Sequence, residues 1–434
     1  MKIKTIAHRI YGNRLFKDSL WTLFGNAFGK GLTVLSGIIV ARLLGKDVYG
    51  EFGLLRNTLI IIAIFSTMGL GYTATVFISE AKEKTKNIVY PLVKVIELMT
   101  VIFSGLISLC VFFFSSELAL FLEDEALDTP LKILSAIILF NAVTTSQIGI
   151  LAGLKAFKGT AVVNLVSGIL NFILTCWLTF IYGFVGALSA LLISQIINCL
   201  LNSGLLRISL KDYTSSGMQL NLVAPIIKNS LPVALQEMVV SFTHWLFSIV
   251  LLKISNYGEV GLVTVAAQWE AMLLFVPIAL RNVTLSHMSS SDEKDASRIM
   301  KRMMFVNVMV SLVPTLLFYM FNDLFDMIYG PTFKNVGIVI TLACMYATVN
   351  SIFAVFASTY MARKRNWTLF SISLLRGILK FPVLLLLVCY MCMRGAYAFF
   401  IASILMEAVA VAICYYLLNN DRLCFACNTH HSNT

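Results

Sequence analysis

Apolar runs bounded by charged residues recur along the whole chain. Each run is long enough to cross a hydrocarbon core about 30 Å thick, which needs about 20 consecutive apolar residues in a helix. The runs lie near residues 20–44, 52–79, 91–115, 131–152, 161–182, 184–206, 229–252, 260–286, 303–321, 336–361, 368–391 and 395–418. The pattern predicts an all-α integral membrane protein with about 12 transmembrane helices.

The composition agrees with this prediction and excludes several classes of function. Of the 434 residues, 59% are hydrophobic and 13% are charged, and the mean hydropathy is +0.86. The loops between the runs are short, so we expect no large catalytic domain outside the membrane. Lysine and arginine (33) outnumber aspartate and glutamate (22), but no basic surface with interleaved aromatic residues is present. We therefore expect no nucleic-acid partner.

The basic residues predict the orientation of the chain in the membrane. If the N-terminus is cytoplasmic, the segments on that side carry 21 lysines and arginines. The outside loops then carry only Lys46, Lys253, Lys334 and Arg394. Cytoplasmic loops of membrane proteins are enriched in positive charge. The asymmetry predicts that both termini lie in the cytoplasm.

An internal repeat divides the spans into two sets of six. At an offset of 209, Gly168–Phe172 aligns with Gly377–Phe381, and at an offset of 211, Lys17–Leu20 aligns with Lys228–Leu231. Repeats with an even number of spans enter the membrane from the same side, which predicts two six-helix lobes related by a pseudo-twofold axis, as in transporters. The predicted segments are a basic cytoplasmic N-terminus (1–19), an N-lobe (20–206), a cytoplasmic linker (207–228), a C-lobe (229–418) and a cytoplasmic tail (419–434).

Polar residues inside the spans fall on single helical faces, because they are spaced by three or four residues. The aligned positions are Asn26, Lys30, Thr33 and Gly37 in the first span, Asn164, Ser167 and Asn171 in the fifth, Glu237, Ser241, His244 and Ser248 in the seventh, and Ser373, Arg376 and Lys380 in the eleventh. Neutral polar residues often serve only as hydrogen bonds between helices. Asn26 and Asn171 are nevertheless candidates for the lining of a polar cavity.

The cationic residues are the main candidates for a binding site. An ionised side chain at mid-membrane costs on the order of 3 kcal/mol, so it must face protein or water. We predict that Lys30, Arg376 and Lys380 line an aqueous cavity that binds an anionic head group such as a diphosphate. Arg56 and Arg281 are secondary candidates for this site, since they lie nearer the span ends, where long side chains reach the interface.

Buried acidic residues are candidates for ion coupling. Glu237, Glu270 and Glu407, together with His244, could take up and release H⁺ or Na⁺, because burial makes their ionisation depend on their surroundings. These carboxylates are too scattered in the sequence to be assigned as partners of the cations. No other cofactor is expected.

Cysteine and histidine motifs give little evidence of a metal site. The tail residues Cys424, Cys427, His430 and His431 are of the types that bind zinc, but only two residues separate Cys427 from His430. Cys389 and Cys392 lie inside an apolar span, where packing is the better explanation. Motifs for nucleotide hydrolysis, dinucleotide binding and hydrolytic catalysis are also missing from the sequence. We therefore predict neither a metal site nor enzymatic activity.

Several segments resemble the polysaccharide biosynthesis flippases, the O-antigen (Wzx-type) branch of the multidrug/oligosaccharidyl-lipid/polysaccharide exporter superfamily. The resemblance extends over about residues 17–418 and is clearest at Val40–Gly53, Met68–Gly71, Gly153–Phe157, Asn229–Pro232, Gly258–Gly261, Ala266–Ala267 and Ile328–Phe333. These segments are scattered glycines and turns and contain no catalytic signature. They are therefore specific for the family and uninformative about the substrate. The Cys/His tail is not part of the family pattern.

The resemblance implies a flippase that moves an undecaprenyl-diphosphate-linked oligosaccharide from the cytoplasmic to the periplasmic leaflet by alternating access. It also implies membrane lipids as surroundings and a polysaccharide polymerase and chain-length regulator as partners. In that scheme Lys30, Arg376 and Lys380 bind the head group, while Glu237, His244 and Glu270 take part in ion coupling. Three alternatives remain: a drug or metabolite exporter of the same superfamily, a lipid II flippase, and a membrane-embedded polysaccharide polymerase or ligase.

Overall fold

The computed structural model describes residues 14–84, 86–122, 124–213, 219–278, 293–362 and 365–431. Within these ranges the regular secondary structure is helical, without β-strands. The helices of the first half are α1 (Arg14–Leu44), α2 (Lys46–Thr67), α3 (Leu70–Lys84), α4 (Val89–Phe113), α5 (Ser115–Phe121), α6 (Asp128–Gly153) and α7 (Phe157–Ser209). Those of the second half are α8 (Val223–Ile254), α9 (Tyr257–Leu273), α10 (Glu293–Met320), α11 (Asn322–Tyr329), α12 (Val336–Ala362), α13 (Asn366–Leu385) and α14 (Gly395–His431).

These helices confirm the prediction of an all-α, multi-pass membrane protein. Within the described ranges, eight helices are long and apolar enough to cross a membrane. Helices α1 and α8 also cover the predicted spans 20–44 and 229–252. The predicted division between the fifth and sixth spans is present as a break inside α7, where Gly183 has φ 56° and ψ −131°. This conformation lies outside the regions that residues with a Cβ readily adopt.

Two predicted spans differ from the helices observed. The span predicted at 52–79 is divided into α2 and α3, because Met68 and Gly69 both have positive φ values. In the span predicted at 260–286, a single turn residue, Leu274, follows α9, and helix continues from residue 275 to the end of the described range at Ile278. Hydropathy reports only that a segment is apolar, so it does not detect a local change of backbone direction.

The chain forms two compact units. The first unit comprises residues 1–44 and 55–241, and the second comprises residues 45–54 and 242–434. Their limits do not coincide with the predicted lobes, since residues 45–54 belong to the second unit and the other boundary falls within α8. The predicted lobe limits at 20–206 and 229–418 stay a prediction.

Each unit has its own apolar core. In the first unit, α3, α4 and α6 pack together around Ile78, Val93 and Ile150, which are fully buried. In the second unit, α12 and α14 pack around Phe356, Tyr360 and Cys414, and the Tyr360 hydroxyl donates a hydrogen bond to the Cys414 carbonyl oxygen at 3.2 Å. These cores hold the helices that carry the polar side chains described below.

Glycines allow α2 and α9 to cross closely within the second unit. A Cβ on Gly50 would collide with the Tyr257 carbonyl, and a Cβ on Gly261 would collide with the Lys46 carbonyl. Gly50 and Gly261 are equivalent positions of the internal repeat at the offset of 211. Each lies against the backbone of the other's helix, and such reciprocal contact of equivalent residues is what twofold symmetry produces. The two helices therefore cross at equivalent positions of the repeat.

Candidate functional site

A polar cavity of about 310 Å³ lies between α1 and the two halves of α7 in the first unit. Its lining combines one cationic side chain with hydroxyl and amide groups. The polar lining residues are Lys30, Thr33, Asn164, Ser167, Asn171, Ser194, Gln195 and Asn198. Among the described residues, neither a carboxylate nor an aromatic ring lines this polar cavity.

Helix geometry explains why these side chains meet. Lys30 and Thr33 lie on one face of α1, and Asn164, Ser167 and Asn171 lie on one face of the first half of α7. The two helices approach closely at Gly29 and Gly168, where a Cβ on Gly168 would lie 3.4 Å from the Gly29 Cα. The break at Gly183 then returns the chain, so that the second half of α7 adds its own polar face.

Some of the lining side chains hold one another in place. Ser167 Oγ donates to Asn198 Oδ1 at 3.3 Å, and Asn202 Nδ2 donates to the same oxygen at 3.0 Å. Thr175 Oγ1 donates to Asn171 Oδ1 at 3.3 Å. In both asparagines the side-chain oxygen accepts these bonds, which fixes the orientation of the amide. The NH₂ group of each amide remains available as a donor.

Two buried oxygen atoms in the lining have no hydrogen-bond partner. They are Ser194 Oγ and Gln195 Oε1. Buried polar atoms of native proteins are nearly always hydrogen-bonded to protein or water, and an unpartnered one costs about 1–3 kcal/mol. The polar cavity therefore presents unused hydrogen-bonding capacity toward its interior.

The charge of the polar cavity is positive. Lys30 is exposed, and none of the ion pairs between described side chains includes it. The half-buried Arg56 on α2 lies close enough to Lys30 to repel it electrostatically. Two neighbouring cations without a paired carboxylate make this part of the first unit attractive to anions.

An ionic cluster of opposite charges lies in the second unit. Arg376 on α13 donates to Glu407 Oε1 on α14, and the side chains are 13% and 0% exposed, respectively. The Arg376 guanidinium also lies 4.4 Å from the centre of the Phe353 ring on α12. The second oxygen of this carboxylate, Oε2, is buried without a partner.

Three further ionisable residues complete the ionic cluster. Lys380 is only 5% exposed, and its ammonium lies 5.1 Å from the centre of the Tyr346 ring. Glu270 on α9 is half-buried and interacts electrostatically with Lys380 and Glu407. His244 on α8 is exposed and lies within the field of Lys380 and Arg376. With two cations and two carboxylates, the ionic cluster is close to charge balance.

Sequence comparison assigns the family. Residues 15–284, more than half of the chain, match the family described as polysaccharide biosynthesis protein. The chain belongs to this family. The resemblance predicted from its glycines and turns is thereby confirmed. A comparison with curated protein sequences gives no match.

Solved structures with the same fold are membrane transporters. An inward-facing multidrug resistance MATE family transporter of the MOP superfamily has a TM-score of 0.76 at 14% identity, with 90% of this chain and 94% of the other covered. The lipid II flippase MurJ in an inward closed conformation has a TM-score of 0.73 at 14% identity, with 92% and 87% covered. A MOP superfamily transporter from Pyrococcus furiosus has a TM-score of 0.65 at 15% identity, with 93% and 96% covered. The chain therefore shares its fold with these membrane transporters.

The described site residues of this family member fall into two groups, one in each unit. Lys30 and Asn171 line the polar cavity, with Arg56 nearby. Arg376, Lys380, Glu270, Glu407 and His244 form the ionic cluster. The side chains of Asn26 and Glu237, and the whole of Arg281, lie outside the described residues.

The structure supplies an anion for Arg376 that the sequence did not assign. Arg376 was expected to need an anion or water, and Glu407, a candidate for ion coupling, neutralises it directly. The two residues are 31 positions apart on different helices. Helical phase places each of them on a face, but it does not reveal which faces of different helices meet.

The polar face of the sixth span was missed. Ser194, Gln195 and Asn198 line the polar cavity, and their spacing by one and three residues within an apolar helix was a visible signal. For metal binding, the described residues contain no group of three or more potential ligands. The side chains of the Cys/His tail lie outside them.

Proposed function

We propose that this protein is a flippase that moves an undecaprenyl-diphosphate-linked oligosaccharide, the repeat unit of O-antigen or another surface polysaccharide, from the cytoplasmic to the periplasmic leaflet by alternating access. Membership of the polysaccharide biosynthesis family supports a saccharide cargo. The fold shared with MATE transporters and MurJ supports transport across a membrane. The proposal adds the nature of the head group and the direction of transport.

The observation that carries this proposal is the composition of the polar cavity. Lys30 and the neighbouring Arg56 provide positive charge without a paired carboxylate among the described side chains. Hydroxyl and amide groups surround Lys30. A cation binds phosphate oxygens strongly at low dielectric, and neutral polar groups bind sugar hydroxyls. A diphosphate joined to sugars carries both kinds of group.

The ionic cluster is better suited to coupling than to head-group binding. Arg376 is already neutralised by Glu407, and Lys380 is almost inaccessible. We therefore retain Lys30, with Arg56, as the head-group site and move Arg376 and Lys380 to the coupling group with His244, Glu270 and Glu407. The driving ion is H⁺ or Na⁺ in this proposal. A bacterial inner-membrane location with both termini in the cytoplasm, and cooperation with a polymerase and chain-length regulator, complete it.

A charge reversal tests the head-group site in cells. In a strain that lacks the native gene, Lys30→Glu is expected to abolish surface polysaccharide while the amount of protein in the membrane stays normal. Lys30→Arg should restore most of the polymer, because it keeps the positive charge. The measurements are immunodetection of the polymer and of the protein in the same membranes.

The control is Lys158→Glu, which makes the same charge change in the first unit. Lys158 is exposed near the start of α7 and does not line the polar cavity. The Lys158→Glu variant should produce a normal amount of surface polysaccharide. Normal polymer from a Lys30→Glu, Lys380→Glu double variant would contradict the proposal.

A further inference from the structure

We propose that the second half of α7 forms a saccharide subsite, which binds the sugar residue attached directly to the diphosphate. This inference rests on the proposed function, because it assumes a diphosphate-linked saccharide as cargo. It assigns recognition of the sugar to Ser194, Gln195 and Asn198. No motif of the sequence marks these three as binding residues.

The first step is the unused hydrogen-bonding capacity of this face. Ser194 Oγ and Gln195 Oε1 are buried in the lining of the polar cavity without partners. Asn198 differs, since its carbonyl oxygen already accepts bonds from Ser167 and Asn202. The face therefore offers a hydroxyl, a free acceptor and an oriented amide, and a ligand with hydroxyl groups can use all three.

The second step is the position of the charge. Lys30 lines the same polar cavity, so one ligand must place an anionic group and hydroxyl groups within a space of about 310 Å³. That volume is at the small end of ligand pockets. It fits a single sugar joined to a phosphate better than a longer oligosaccharide.

The third step is that the described lining lacks the side chains that other classes of ligand would need. A pocket for an apolar drug would present aromatic and apolar side chains, whereas Leu191 is the only large apolar residue among the described lining residues. A site for a metal cation would present carboxylates, and the described lining has none. A lining rich in hydroxyl and amide groups, with one cationic side chain, matches a sugar phosphate.

Binding measurements on the purified full-length protein in detergent test this subsite. The probes are undecaprenyl diphosphate without sugar and the same lipid carrying one N-acetylhexosamine or one hexose. For the wild type, we expect one of the sugar-bearing lipids to bind about tenfold more tightly than the sugar-free lipid, as two or three neutral hydrogen bonds would produce.

The variants Gln195→Met and Ser194→Ala should remove most of this sugar-dependent gain while leaving the Kd for the sugar-free lipid unchanged. Both substitutions delete atoms that have no protein partner, so the fold loses no hydrogen bond. Ser146→Ala is the matched control: Ser146 Oγ is also buried and unpartnered in the first unit, on α6, but does not line the polar cavity. The Ser146→Ala variant should retain the full sugar-dependent gain in affinity.

The outcomes separate the subsite from the proposed function. The subsite is overturned if the wild type binds all three lipids equally, or if both variants keep the full sugar-dependent gain in affinity. Either result leaves the flippase proposal standing. Failure of every lipid to bind the wild type contradicts the proposed function, and the subsite with it. Loss of the gain in Ser146→Ala as well would show a general effect of the substitutions and would also overturn the subsite.

Discussion

At the scale of single residues, the ion pair between Arg376 and Glu407 lies almost entirely out of contact with solvent. Glu407 is fully buried, and the Phe353 ring lies against the guanidinium. Removing one partner of such a pair leaves an uncompensated charge, whereas replacing both with apolar residues often costs little. The pair therefore constrains which single substitutions the protein tolerates.

Substitution of this pair gives a test by a double-mutant cycle. Arg376→Met or Glu407→Met alone should destabilise the protein by about 3 kcal/mol, because each leaves a buried charge without its partner. The double variant should recover most of that loss. The measurement is the thermal unfolding midpoint of the purified protein in detergent.

The exposed pair Lys94–Glu97 provides the control for this cycle. Its side chains are 46% and 30% exposed, so Glu97→Met should change stability by less than about 1 kcal/mol. Single variants of the buried pair that unfold at the wild-type temperature would contradict the interpretation of Arg376–Glu407 as a buried, mutually dependent pair.

At the scale of elements, the break in α7 determines where the polar faces lie. Asn164, Ser167 and Asn171 precede Gly183, and Ser194 and Gln195 follow it, yet all five line one cavity. A continuous 53-residue helix would be about 80 Å long and would carry the two faces far apart. The backbone conformation of one glycine thus brings the two halves of the candidate site together.

Substitution of Gly183 separates backbone strain from crowding. A Cβ at this position would meet no atom within 4 Å, so any cost of Gly183→Ala is conformational. We expect a loss of about 1–3 kcal/mol in stability, because φ 56° with ψ −131° is accessible almost only to glycine. The measurement is again the unfolding midpoint in detergent.

Gly204 is the matched control in the same helix. It is helical, and a Cβ there would also meet no atom within 4 Å. Gly204→Ala should be neutral or stabilising by up to about 1 kcal/mol, since alanine favours helix. If both substitutions have the same effect, the break at Gly183 does not depend on glycine.

At the scale of the whole molecule, charge asymmetry and the internal repeat describe the same topology. Two repeats with six spans each predict that both termini lie on one side, and the excess of basic residues predicts that this side is the cytoplasm. Equivalent elements follow the third and ninth predicted spans, where the short helices α5 and α11 precede the next long helix. Topology is therefore the property of the whole chain most open to direct test.

Cysteine labelling tests the orientation. In a background with the native cysteines replaced, Asp124→Cys should react with an impermeant maleimide added to whole spheroplasts, and Lys364→Cys should react only after the membrane is opened. Position 124 lies in the acidic segment predicted outside, and position 364 lies in a basic segment predicted inside. The reverse labelling pattern would invert the topology and the proposed direction of transport.

Local patterns along the chain were enough to predict the apolar spans, the repeat and the polar faces. The fifth and sixth spans were separated correctly at Gly183. Two of the predicted site residues, Lys30 and Asn171, line the polar cavity. These properties depend on periodicity and on residues close in sequence, which a single chain displays directly. The division of α2 from α3 was missed, because the positive φ of Met68 leaves no trace in hydropathy.

The sequence by itself determined the membrane class, the helical nature of the apolar spans and the residues able to carry charge into the bilayer, since burial of polar groups in lipid is costly wherever they occur. Only the tertiary structure decided which charges are paired. It joined Arg376 to Glu407 and left Lys30 beside unpartnered oxygens of Ser194 and Gln195. Contacts between distant helices depend on how their faces pack against one another, and periodicity along one helix does not specify that packing.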